Sequence, residues 1–134
     1  MAQRRRQVLL VHGVLGFSKL GSVTYFDGVR DCFPNCDFIE PQIDPVGSIL
    51  DRGQQLANKL SNCPGKNACG KIHIVAHSMG GLDVRSLTSA KGLNKASWFA
   101  SVTTVSTPHQ GSPLADIIQN PKSLNIMDLG PLTF

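Results

Sequence analysis

The apolar run Ile72-His73-Ile74-Val75-Ala76 passes straight into His77-Ser78-Met79-Gly80-Gly81, and no other stretch limits the fold so tightly. The run has the length of a buried strand, a helix is expected to begin just past Ser78, and the residues from Leu82 to Ala90 read as that helix. Ser78 therefore stands on a steep strand-to-helix turn. Such a turn lifts a serine hydroxyl clear of the sheet, where it can meet both a base and a substrate carbonyl. Small residues flank it because neighbouring backbone presses on the sides of the turn. The pattern here is Ala76-x-Ser78-x-Gly80, with a methyl group at the first small position where glycine is more usual.

A second junction of the same kind lies near the N-terminus. Gln7-Val8-Leu9-Leu10-Val11 reads as a buried strand, and His12-Gly13-Val14-Leu15-Gly16-Phe17 follows at once. A serine attacking an ester creates a negative oxygen that needs preorganised N–H donors. The amide after the serine, that of Met79, is one. The other is expected from a loop following an early strand, commonly marked His-Gly, which makes the Val14 backbone N–H the second donor. Gly13 and Gly16 let that loop approach the reacting carbonyl, and His12 is read as a brace for it.

The rest of the chain fits one domain built around these two turns, since 134 residues bury a single core. Residues 18–30 are expected to carry a helix over the sheet, and Asp37-Phe38-Ile39-Glu40 a short strand ended by Pro41. Residues 48–60 give the clearest helix: Ile49, Gly53, Leu56, Ala57 and Leu60 share a face, Ser48 caps, and Asp51 sits in the first turn. Gly92 is placed to end the helix after Ser78, and Ser101-Val102-Thr103-Thr104-Val105 is the next strand. Strands alternating with helices predict a three-layer α/β architecture with a mainly parallel sheet. Ligands then gather at the carboxyl ends of the strands, where Val14 and Ser78 both fall.

Five motifs in order also resemble the bacterial triacylglycerol lipases of the α/β-hydrolase fold, chiefly the Pseudomonas and Burkholderia type. They are Val11 to Phe17, Gly21 to Gly28 with Tyr25-Phe26, Ser48 to Leu56, Ala76 to Gly81, and Ser106-Thr107-Pro108-His109-Gln110-Gly111-Ser112. The Ala-His-Ser-Met-Gly form of the turn is similar to that of the small Bacillus lipases. The resemblance implies a serine lipase or carboxylesterase working through an acyl-enzyme on Ser78. It also implies secretion, although no signal peptide is read at the basic start. Lipases of this kind order their triad as Ser, acid, His, with the last two later than this chain reaches. The chain thus reads as the N-terminal half of such an enzyme, its sheet incomplete at the C-terminus and residues 113–134 beginning the cap or lid. No cofactor is expected within the chain; the family's structural calcium would be held beyond Phe134. Two alternatives use the same residues: an acyltransferase, with an alcohol as acceptor, and a non-catalytic remnant that binds lipid or a partner.

Other features carry less. His109, with Asp116 or Asp128, is a local candidate for base and acid, but family position argues against it; His73 and His77 read as structural. The net charge of +4 comes from scattered residues apart from Arg4-Arg5-Arg6, without interleaved aromatics, so no nucleic-acid partner is expected. The partner is a lipid or other acyl ester, met in transient contact with a lipid interface, and no run is long enough for a transmembrane helix. Cys32, Cys36, Cys63 and Cys69 do not have zinc spacing; short-range disulfides and reduced thiols both fit. Gly65 to Lys71 copies the spacing of a phosphate-binding loop, yet Ile72 follows where Ser or Thr is required, and the loop precedes a strand.

Overall fold

The structure, a computed structural model, describes residues 5–13, 19–20, 23–63, 72–113 and 115–116. Its frame is a four-stranded parallel sheet in the order β4-β1-β5-β6, where β1 is Arg6–Val11, β4 Cys36–Ile39, β5 Ile72–His77 and β6 Phe99–Val105. The expected strands are all present, each within two residues of its predicted ends.

Residues 18–30 correct the sequence reading. Where a helix was expected, Lys19–Leu20 (β2) and Val23–Thr24 (β3) form a short antiparallel ladder, and a 3-10 turn follows at Arg30–Cys32. Gly28 at φ 72° suits a turn rather than a helix interior.

Helix α1, Ile49–Ser61, begins as predicted: the Ser48 hydroxyl accepts from the Asp51 N–H at 3.2 Å and donates to the Asp51 carboxylate at 2.6 Å. Its inward face holds Gly53, Leu56, Ala57 and Leu60, but Ile49 is exposed and Arg52 takes a fully buried position. Helix α2, Met79–Thr88, starts three residues earlier than the apolar pattern suggested, directly after Ser78, and ends before Gly92. Both helices bury into one cluster with Leu9, Val11, Ile72, Ile74 and Ala76.

Chain order sets the location of the site. From β1 the chain moves out to β4 on one side, then crosses through α1 to β5 on the other side of β1. The strands β1 and β5 therefore flank a topological switch point, with Val11 paired to Ala76 at their carboxyl ends. His12-Gly13 and His77-Ser78 leave the sheet side by side. At the sheet margin, Val102 and Val105 of β6 are each 46% exposed. No helix among the described residues is long and apolar enough to cross a membrane. Cys32, Cys36 and Cys63 are free thiols, while Cys69, the phosphate-loop look-alike and nearly all of 113–134 lie outside the described residues.

Candidate active site

Ser78 has φ 54° and ψ −130°, a backbone conformation that residues with a Cβ rarely adopt. Three bonds hold it there. Its N–H donates to the Val105 carbonyl at 2.9 Å, and its own carbonyl accepts from the Gly81 N–H at 3.1 Å and the Thr107 hydroxyl at 2.9 Å. Ser78 occupies the N-cap position of α2, yet its side chain makes no capping bond. A capping serine ordinarily spends its oxygen on the helix amides. Here the turn aims it elsewhere, and the hydroxyl is left for other chemistry.

It is aimed at Gly13. A Cβ on Gly13 would lie 2.8 Å from the Ser78 Cβ and 3.1 Å from its Oγ, so only glycine allows this approach. The Gly13 N–H donates to the Tyr25 hydroxyl at 3.0 Å, and that hydroxyl lies 2.7 Å from Nδ1 of His77. The tyrosine oxygen accepts from Gly13, and the direction of its bond to His77 follows the imidazole tautomer. His12 Nδ1 donates to the Gly13 carbonyl at 3.0 Å. Tyr25 thus ties the first loop to the serine turn. The family resemblance passed through this residue, but nothing in its spacing announced the bond. Tyr25→Phe is expected to lower stability by about 1–2 kcal/mol in urea titration, since two partly buried groups lose their partner at once.

Met79 opens α2, so its N–H has no acceptor within the helix. Val14 lies outside the described residues. Each of the four histidines has one ring nitrogen bonded to a group other than the serine hydroxyl: His12 to Gly13, His73 to Ser101 (2.8 Å), His77 to Tyr25, and His109 to Thr104 (3.2 Å). Among the described residues, no group of His, Cys, Asp or Glu is placed to hold a metal ion.

Beneath the loops lies a fully buried ion pair that sequence reading missed. Arg52 Nε and Nη2 donate to one Asp83 oxygen at 2.9 and 2.7 Å. Burial pushes the Asp83 carboxyl above its ordinary value, opposed by the Arg52 hydrogen bond and charge and by His12. Polar residues at inward helical positions were the available signal, but a charged group at one point of a helical stripe reads more readily as its solvated edge.

No family model matches the chain. It is 33% identical over 114 residues to the triacylglycerol lipase of Pseudomonas fragi, covering 84% of this chain and 38% of that protein. With the triacylglycerol lipase of Burkholderia plantarii it shares 30% identity over 129 residues, 89% of this chain and 34% of the other. The chain is a relative of the bacterial triacylglycerol lipases. The structure of the mature Bacillus licheniformis lipase BlEst2 superposes on this lipase relative with a TM-score of 0.69 at 26% identity, over 92% of this chain and 49% of that one. The parallel sheet and its flanking helices are those of the α/β-hydrolase fold. This relative spans less than two fifths of the length of each of those two curated lipases.

Proposed function

We propose that this lipase relative supplies the nucleophile and oxyanion side of a serine ester hydrolase acting on lipid acyl esters. The observation that carries the reading is the strained Ser78, its hydroxyl unspent on the helix, set against Gly13 of the first loop. The names of the relatives favour water over an alcohol as acceptor. A lipid substrate implies transient contact with a lipid interface.

In this reading Ser78 Oγ attacks the ester carbonyl carbon and passes its proton to a base. The carbonyl oxygen becomes an oxyanion held by the Met79 and Val14 N–H groups. Collapse expels the alcohol, which takes the proton, and leaves an acyl-enzyme. Water then repeats the attack through the same base and frees the acid. Holding the Gly13 carbonyl through His12 suits this scheme, because in a planar trans peptide the C=O direction sets that of the next N–H. The base is assigned to none of the engaged histidines, His109 included.

The test compares Val14→Ala with Val14→Pro in any form of the protein that hydrolyses p-nitrophenyl butyrate above background. Alanine keeps the backbone donor and should change turnover little. Proline removes it and should cost about 10²-fold or more in kcat, as loss of an oxyanion donor does. Equal losses in the two variants would assign the effect to side-chain packing and remove Val14 from the oxyanion hole.

A further inference from the structure

The guanidinium of Arg52 does more than neutralise Asp83. Nη2 also donates to the His12 carbonyl at 2.9 Å, and Nη1 donates to the Asp44 carbonyl. One side chain on α1 thereby reaches α2, the loop after β1 and the loop after β4. The His12 contact is the informative one. His12 C=O and Gly13 N–H are the two ends of a single peptide unit: Arg52 holds the oxygen, and the Tyr25 hydroxyl holds the N–H. A planar peptide fixed at both ends has no freedom left to flip. That peptide lies directly before the loop's proposed oxyanion donor and beside the Ser78 side chain.

We propose that Arg52 is a positioning residue for the oxyanion loop, acting through the His12 carbonyl, with Asp83 orienting its guanidinium. The proposal rests on the reading of Ser78 and this loop as the reacting centre. If the pair served only to join α1 to α2, the carboxylate would suffice and the carbonyl contacts would be incidental. Asp83 Oδ1 and His12 Nε2 are buried without a partner among the described residues, so the cluster is not arranged for its own satisfaction. Its polarity is directed at the loop. Arginine is required because a planar fork serves several oxygens at fixed angles, whereas an ammonium is a single point.

The experiment follows amide exchange by NMR in the 134-residue chain, reading Gly13 against Leu9 and Leu10 of β1. A double variant, Arg52→Met with Asp83→Leu, removes both charges together, so that neither is left buried without its partner. Arg52→Lys keeps the charge balance and removes the fork, so it decides the matter if the double variant does not fold. In either variant Gly13 exchange should rise about tenfold or more while the β1 amides keep their protection, the local opening expected when one hydrogen bond that holds the peptide is lost. Wild-type Gly13 exchange in a folded variant would overturn the proposal and leave the pair a plain helix-to-helix tie. Uniformly faster exchange across β1 in both variants would do the same. The readout needs no turnover, so failure of the esterase reading, seen as hydrolysis that survives Ser78→Ala, is told apart from failure of this one.

Discussion

Ser78→Ala should reduce ester turnover by about 10³-fold or more in any form of the protein that hydrolyses p-nitrophenyl esters above background. The substitution removes the only atom proposed to bond to the acyl carbon. It leaves the backbone donors in place, so a residual rate from oxyanion binding alone is expected. The variant should fold as the parent does. The bonds that hold this turn, from Ser78 N–H to Val105 and from Gly81 and Thr107 to the Ser78 carbonyl, are all backbone bonds at residue 78. Alanine also meets the positive φ no worse than serine. Turnover and the urea midpoint therefore separate cleanly, with the first collapsing and the second holding. A folded Ser78→Ala protein with most of its activity would reject Ser78 as the nucleophile.

Much of the sheet was legible because its strands are short apolar runs ending at Gly, Pro or a motif, and a buried strand has few other sequences. Helix α1 was legible for a related reason: its cap and its apolar spacing agree with one another. The segment 18–30 was not, since a few polar and aromatic residues between glycines satisfy a helix or a ladder equally well until tertiary contacts decide. The start of α2 was legible from the turn, just past Ser78, but not from the apolar pattern, because Met79, Gly80 and Gly81 are chosen for the steep turn rather than for an apolar face. Local preference and local structure disagree where function is proposed to lie.

The site divides along the same line. Ser78, Gly13 and Met79 announce themselves by position, because a turn between a strand and a helix is a local feature. Tyr25 and Arg52 act through contacts that span 12 and 40 residues of sequence to Gly13 and His12. No spacing rule covers such pairs. Ile49 and Arg52 show how this misleads: three residues apart on one helix, they exchange the burial that hydropathy assigns them. The buried carbonyl of His12 needs a donor that an isoleucine cannot supply, and the same guanidinium reaches the carbonyl of Asp44.

Gly80→Ala is expected to destabilise the fold by about 3 kcal/mol or more, although alanine is the better helix residue. A Cβ at position 80 would stand 2.5 Å from the Val11 carbonyl oxygen and 2.6 Å from that of His12. Both are backbone atoms, and neither has room to retreat. Val11 is fully buried and paired to Ala76, while the His12 carbonyl is held by Arg52. Helix α2 cannot easily back away either, because its first turn is tied to β6 through Ser78 and to Thr107. The gain in helix propensity is about 1 kcal/mol, smaller than the strain of overpacking against two fixed carbonyls. Gly53→Ala in α1 is the control. Its added carbon would meet the Ser86 hydroxyl at 3.0 Å, which can rotate, and the Ser86 Cβ at 3.2 Å, which needs to give only a few tenths of an ångström, so propensity and strain should nearly cancel there. Urea titration of the two variants measures the difference directly. A Gly80→Ala protein as stable as Gly53→Ala would mean that the first turn of α2 is not wedged against the end of β1, and the close seating of the serine turn beside the first loop would lose its physical basis.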